Sequence, residues 1–381
     1  MTQLKAPDAT LIKLFAPIDF GSEKLVNRLV MAPMTRDFAT DGVVGDDVVD
    51  YYRRRVEGGI GLIITEGTLI NHVGANAYKE QIPRFYGDDA LNGWKKVVEA
   101  VHQAGGHIIP QLWHTGAVRK PGGAGKDPSA PGYGPMDIEG DNGELECIGM
   151  SLQDISEVIQ AYVQAAVDAE RIGFDGIEIH GAHGYLVDQF FWEEMNQRDD
   201  QYGGSLENRN RFALEIVKAI RASVSKDFPI VFRFSQWKQQ DYSAKLAQTS
   251  DELATLLNAL SQAGVDIFHA STRRFWEPAF DNSPLTVAAW TRKITSKPVI
   301  AVGSVGLDTQ FGWELWNQPE DKHQTEVTNV NHLLNGFENN DFDFIAVGRA
   351  LIADAQWAQK VQQGRFDEIV PFERELLDSL V

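Results

Sequence analysis

A single cysteine, Cys147, among 381 residues leaves no internal disulfide and no four-cysteine iron–sulfur cluster supplied by this chain. No histidine sits beside it to activate the thiol, so it reads as a loop or partly buried cysteine. Positive charge is scarce as well: 35 Lys and Arg against 54 Asp and Glu leave a formal net charge of −19. A field of that sign repels a phosphate backbone and argues against nucleic acid as a partner, though it is compatible with a local basic pocket for a small anion. Long apolar runs are missing too. No stretch approaches the ~20 apolar residues that cross a bilayer. The opening "MTQLKAPDATLIKLF" also lacks the apolar core of a signal peptide, so a cytoplasmic protein without a membrane partner is expected. There is no Gly/Ser-rich or Pro-rich linker, no repeat of solenoid length and no low-complexity tract. With 43% hydrophobic residues the chain can bury a sizeable core, and one domain over 1–381 is the expectation.

What the chain does have is alternation. Short apolar runs rich in Val and Ile recur at 28–34, 61–67, 107–114, 176–183, 230–235, 267–271, 298–304 and 344–350. Several are apolar along their whole length, as parallel strands buried on both faces are. Amphipathic stretches separate them. One begins at Ser151 with Asp154 three residues on, a capping-box variant, and stops at Gly173. Another starts at Thr249 or Ser250 and stops at Gly264. Eight strands alternating with helices predict a (β/α)8 TIM barrel. An open doubly wound sheet would more naturally carry a GxGxxG turn after its first strand, and none is there. The segment 117–150, between the third strand and its helix, is long enough to predict a lid. The acidic tract 317–326 reads as a solvated loop.

In such a barrel, chemistry gathers at the C-terminal ends of the strands. That rule brings together Pro33, Met34 and Thr35, Gly67, Gln111 with Trp113 and His114, His180 with His183, Arg233, Gly303 with Ser304, and Gly348 with Arg349. Glycines and an arginine after the last two strands point to a phosphate-bearing ligand. Arg233, within an apolar strand, needs an anionic or electron-rich neighbour. Either Asp266 or Glu178 supplies it internally, or the arginine stabilises negative charge on a reduced cofactor ring.

The stretch "GIEIHGAHGYLVDQFF" leaves three readings open for His180 and His183. As metal ligands they need a third group, such as His114 or Glu178. As packed histidines they only satisfy carbonyls. As paired donors they grip a substrate oxygen, with Tyr185 beside them as a proton source.

Several motifs then follow in order: "RLVMAPMTR" (28–36), "GLIITEG" (61–67), "QLWHTG" (111–116), "IHGAHGYLVDQF" (179–190), "RDDQYGGSLENRNRF" (198–212), "AVGSVG" (301–306) and "FIAVGRALIAD" (344–354). On these the chain resembles the Old Yellow Enzyme family of FMN-dependent ene-reductases along nearly its whole length. The resemblance implies FMN across the barrel mouth, its phosphate held by Gly303, Ser304, Gly348 and Arg349. It implies Pro33, Met34, Thr35 and Gly67 along the flavin, Gln111 at its pyrimidine edge and Arg233 by N1 and O2. His180 and His183 would bind the oxygen of an activated alkene, His180 also touching the flavin, while Tyr185 protonates the substrate and Trp113 shapes the pocket. Tyr78 and Phe275 are further substrate-contact candidates, and Arg273 and Trp276 are expected at the same rim. NADPH or NADH would be the reductant, nitro compounds and nitrate esters alternative substrates, and the protein a monomer or homo-oligomer. Where the family often has an aromatic pair against the dimethylbenzene edge, the tail of this chain offers Trp357, Phe366 and Phe372. "YGGSLENR" reads as structural, with Ser205 capping a helix and Asn208 and Arg209 anchoring the histidine loop.

Overall fold

Strands that are apolar throughout need cover on both faces, and a closed barrel ringed by helices supplies it. In the computed structural model, which describes residues 9–124, 127–307 and 330–381, the barrel strands are β1 (Leu29–Met31), β2 (Leu62–Leu69), β3 (His107–Trp113), β4 (Ile177–His180), β5 (Ile230–Ser235), β6 (Ile267–Ser271), β7 (Val299–Val302) and β8 (Phe344–Val347). Each pairs in parallel with its neighbours, and β8 returns to β1 to close the ring. The expected (β/α)8 barrel is present. The tract 317–326 lies outside the described residues.

The helices start and stop for local reasons. Ser151 caps Leu152–Ile172 in a complete capping box with Asp154, and Gly173 ends it in the left-handed conformation. Thr249, rather than Ser250, caps Ser250–Ala263, and Ser205 caps Leu206–Ser223. No helix among the described residues is long and apolar enough to cross a membrane.

Inside the barrel the layers change character from bottom to top. An N-terminal hairpin, Ile18–Phe20 with Glu23–Leu25, plugs the lower end. Its Phe20 and Leu25 pack with Val30, Leu62, Ile109, Val231, Ile267, Ile300 and Phe344. Two residues further along their strands, the period of a pleated strand brings in Gln111, Arg233 and His269, with Glu178 from β4 beside them. All four are buried. A polar layer thus lies directly beneath the mouth.

The described residues of the segment 117–150 fold as a small sheet beside the barrel, and the lid expected of this segment is not seen. Gly132–Gly134, Ile138–Glu139 and Leu145–Gly149 form a three-stranded sheet. Buried Arg119 is tied to the carbonyls of Asn76, Ala124, Asp127 and Ala130, and Arg198 reaches Pro135 and Met150 from the far side. None of the described residues of this segment lines the central cavity. Its Cys147 is buried, and burial pushes the thiol up to about 12. The mouth is walled instead by the C-terminal segment, with Phe372, Arg374 and Leu377 on the cavity. Arg36 donates to the carbonyls of Leu376 and Ser379, Arg54 to that of Leu380, and Arg55 to that of Val381.

Candidate active site

The strand ends enclose a cavity of about 940 Å³. Pro33, Met34, Thr35, Gly67, Gln111, Trp113, His180, His183, Tyr185, Arg233, Gly303, Ser304, Gly348 and Arg349 all line it, as does Arg273. Phe275 does not: it is buried in the core against Phe342 and Trp276, so it is not a substrate contact. Trp276 stacks on His332 rather than facing the cavity. Tyr78 is off the cavity wall, stacked on Trp113 with its hydroxyl 2.9 Å from that of Tyr185. Of the three tail aromatics only Phe372 faces the cavity. Trp357 is buried in the core and Phe366 packs against it.

The histidine loop is held in an unusual backbone shape. His183 has φ of +64°, a left-handed conformation that is costly for a residue with a Cβ. Ser235, the last residue of β5, accepts from the His183 N–H at 2.9 Å, and a buried Lys238–Asp188 ion pair lies beneath. Asp188 also accepts from the Gly184 N–H at 2.7 Å. Arg209 secures the following helix, Leu186–Phe191, through the Phe191 carbonyl at 3.0 Å, whereas Asn208 bonds only within its own helix. The rings of His180 and His183 consequently meet edge to face at 5.1 Å, and Tyr185 approaches His180 at 5.0 Å.

Protonation follows from the partners. Burial, then the neighbouring Arg233 cation, holds both imidazoles well below the usual histidine range, so they are neutral at pH 7. Ser271 Oγ accepts from Arg233 Nη2 at 3.2 Å and lies 2.8 Å from His183 Nε2. Arg233 and His183 thus share the Ser271 hydroxyl, which holds the imidazole ring in place. Ser271 and Ser235 escaped the sequence reading. Both end strands two residues beyond a residue of the polar layer, and that period was the available signal.

Arg233 is buried, and desolvation pushes it down to about 10, so it remains charged at neutral pH. Asp266 is not its partner, because Asp266 pairs with Arg221 at the other end of the strand. Glu178 opposes the desolvation electrostatically, but its oxygens bond Gln111 Nε2 at 2.7 Å and His269 Nδ1 at 2.6 Å. Gln111 is thereby oriented by a carboxylate beneath it. The third groups a metal would need are engaged: Glu178 as above, and His114 with His72 at 2.8 Å. Among the described residues no group of three or more His, Cys, Asp or Glu could hold a metal ion.

The residues fit a planar, anionic, phosphate-bearing cofactor. Arg233 Nε and His180 Nδ1 are buried without a partner, in side chains that line the cavity. A Cβ on Gly348 would meet only Met34 and Ala32, both cavity residues, so the missing side chain leaves room there. Gly67 is needed for a different reason, since a Cβ would stand 2.6 Å from the Trp113 ring.

Comparison with known proteins agrees with this geometry. Residues 13–321 match the model of the NADH:flavin oxidoreductase / NADH oxidase family. An NADH oxidase of Thermoanaerobacter brockii is 35% identical over 366 residues, covering 93% of this chain and 52% of that protein. The 12-oxophytodienoate reductase 7 of Oryza sativa subsp. japonica is 40% identical over 224 residues, 56% of each chain. The chain thus spans about half the length of these curated relatives. Morphinone reductase in complex with tetrahydroNAD superposes with a TM-score of 0.77 at 26% identity, over 96% of this chain and 93% of that one. Old Yellow Enzyme from Pichia sp. AKU4542 gives 0.77 at 28%, over 96% and 90%. The chain belongs to the NADH:flavin oxidoreductase / NADH oxidase family, whose members include the Old Yellow Enzymes and whose cofactor is FMN.

Proposed function

We propose that this protein is an FMN-dependent NAD(P)H oxidoreductase that reduces the activated C=C bond of α,β-unsaturated carbonyl compounds, with nitro compounds and nitrate esters as further acceptors. The observation that carries the reading is the convergence of two neutral imidazoles and one phenol on a cavity that also holds a buried arginine. Bound FMN would supply hydride chemistry between the nicotinamide and the alkene. The residues to hold it are Gly303, Ser304, Gly348 and Arg349 at the phosphate, Gln111 and Arg233 at the pyrimidine side, and Pro33, Met34, Thr35 and Gly67 along the ring.

The chain's own groups do the rest. His180 and His183 donate to the carbonyl oxygen and stabilise the charge that develops on it, a contribution of about 2.7–4 kcal/mol per well-placed donor. Being neutral, they polarise the oxygen without surrendering a proton to it. The proton comes from Tyr185, a phenol that burial holds well above its ordinary value and therefore fully protonated at pH 7. Trp113 stacks on His180 at 6.1 Å and fixes the wall above the reacting atoms.

Three measurements test this. The purified protein should release FMN at about one per chain on acid treatment. It should oxidise NADPH or NADH with a simple cyclic enone. His183→Ala should weaken phenol binding, read from the flavin spectrum, by about tenfold, the loss of one hydrogen-bond donor, while FMN stays bound. A colourless protein that cannot be reconstituted with FMN, or loss of a stoichiometric metal in the variant, sinks the proposal.

A further inference from the structure

Tyr185 raises a supply problem. Its side chain is buried, packed edge-on against Trp113 at 4.9 Å and against His180. Its oxygen has two polar neighbours among the described residues, Gln239 Oε1 at 2.9 Å and the Tyr78 hydroxyl at 2.9 Å. A carboxamide oxygen only accepts, so the Tyr185 proton points to Gln239. The single proton in the other contact must then come from Tyr78. The bonds therefore run one way, from Tyr78 to Tyr185 to Gln239. Tyr78 is 42% exposed and Tyr185 only 5%, so the chain begins at solvent and ends in the cavity.

We propose that Tyr78 is a relay that passes a solvent proton to Tyr185 as Tyr185 protonates the substrate. The proposal rests on Tyr185 being the proton donor. In the step, the Tyr185 O–H bond breaks and a C–H bond forms at the α-carbon from the enolate electron pair. The Tyr78 O–H bond breaks and the Tyr185 O–H bond re-forms. The Tyr78 phenolate, on a partly exposed side chain, then takes a proton from water or buffer. Nothing else is consumed.

The surroundings suit the task. Tyr78 is held rather than loose: its ring stacks on Trp113 at 5.7 Å and its N–H donates to Asn76 Oδ1 at 3.0 Å. Asn76 in turn donates to the Lys79 carbonyl at 2.8 Å. Burial shifts both phenols upward, so both keep their protons near neutral pH and can donate them. Gln239 cannot substitute, since a neutral carboxamide has no proton to release near pH 7. Tyr78 was a candidate substrate contact in the sequence; its position off the cavity wall gives it this different task.

The test uses FMN-loaded, anaerobically reduced protein mixed with a cyclic enone in H2O/D2O mixtures, following reoxidation of the flavin. Two protons in flight give a bowl-shaped dependence of rate on deuterium fraction in the wild type. Tyr78→Phe should make that dependence linear and slow the step by about tenfold, with enone affinity and flavin content unchanged. A variant that keeps the wild-type rate and curvature overturns the relay. So does one that loses rate but keeps the curvature, because Tyr78 then only orients its neighbour. Tyr185→Phe, run in parallel, separates the two ideas: if it keeps the full rate, the donor assignment itself has failed.

Discussion

At the scale of single residues, Glu66 is a carboxyl group with no cation within ion-pair distance among the described residues. It is buried within β2, where its Oε2 accepts from the Arg36 N–H at 2.9 Å and the Asp37 N–H at 3.3 Å. It thereby braces the loop that carries Met34, Thr35 and Arg36 along the cavity. Burial outweighs those bonds and raises the carboxyl from 4.5 to about 7. A group whose folded value is raised stabilises the fold below its unfolded value and loses that contribution as pH climbs through the folded one. Glu66→Gln keeps an acceptor for both N–H groups and cannot ionise. Relative to the wild type it should therefore gain stability between about pH 4.5 and 7, by up to about 3 kcal/mol above that range. Urea unfolding of the pair at pH 5 and pH 8.5 measures the difference. Equal differences at both values would mean that Glu66 titrates like an exposed carboxylate. Nothing in "GLIITEG" distinguishes this glutamate from one paired with an arginine, because the two stabilising N–H groups come from a loop about thirty residues away.

Elements differ in how far their placement could be read ahead. The strands and most helices were legible because their signals are local: unbroken apolar runs, a capping box, a terminal glycine. The wall of the cavity was not. A long segment after β3 suggested a lid, yet it has enough buried anchors, Arg119 above all, to fold as a separate sheet. The C-terminal segment takes the wall position because Arg36, Arg54 and Arg55 need carbonyl acceptors, and their distance in the chain hid the match. The histidine loop shows the same kind of long-range support. Lys238 and Asp188 are both fully buried, and they join the segment after β5 to the short helix Leu186–Phe191. The His183 carbonyl also accepts from the Gln239 N–H at 3.3 Å. Lys238→Met should destabilise the protein by about 3–5 kcal/mol, because Asp188 is left as an uncompensated buried charge. Adding Asp188→Asn removes that charge and keeps an acceptor for the Gly184 N–H, so the double variant should recover most of the loss. Denaturant unfolding of the three proteins tests this, and a double variant no more stable than Lys238→Met would refute the electrostatic account.

For the molecule as a whole, the polar mouth set on an apolar barrel has a price in acid. Alternation alone identified the barrel, and strand-end position with the family resemblance identified its lining. What stayed hidden was the interior layer of Gln111, Glu178 and His269, because a lone polar residue in a strand does not disclose which neighbours it meets around a closed ring. That layer and the rim above it bury imidazoles. His72, His114, His180, His183 and His269 are all held below the ordinary histidine value, in each case chiefly by desolvation. Among the histidines of the described residues, His102, bonded to Asp175, is the one shifted upward. Below about pH 6.5 the unfolded chain takes up protons at these five positions while the folded chain does not. Each such group lowers stability by about 1.4 kcal/mol for every pH unit descended, until its folded value is reached. Glu66, Asp188, Asp341 and His102 shift upward and push the other way, but they are fewer. Stability should therefore fall between pH 6.5 and 5, by about 2–4 kcal/mol, on the order of one to two unopposed imidazoles over 1.5 pH units. Calorimetric melts across pH 8 to 5 would record it. Replacing His72, which lies off the central cavity against His114, with a residue that does not titrate should flatten the slope measurably. A flat melting temperature over that interval would show that the imidazoles take up protons without unfolding, and would undercut their assignment as neutral donors at the cavity.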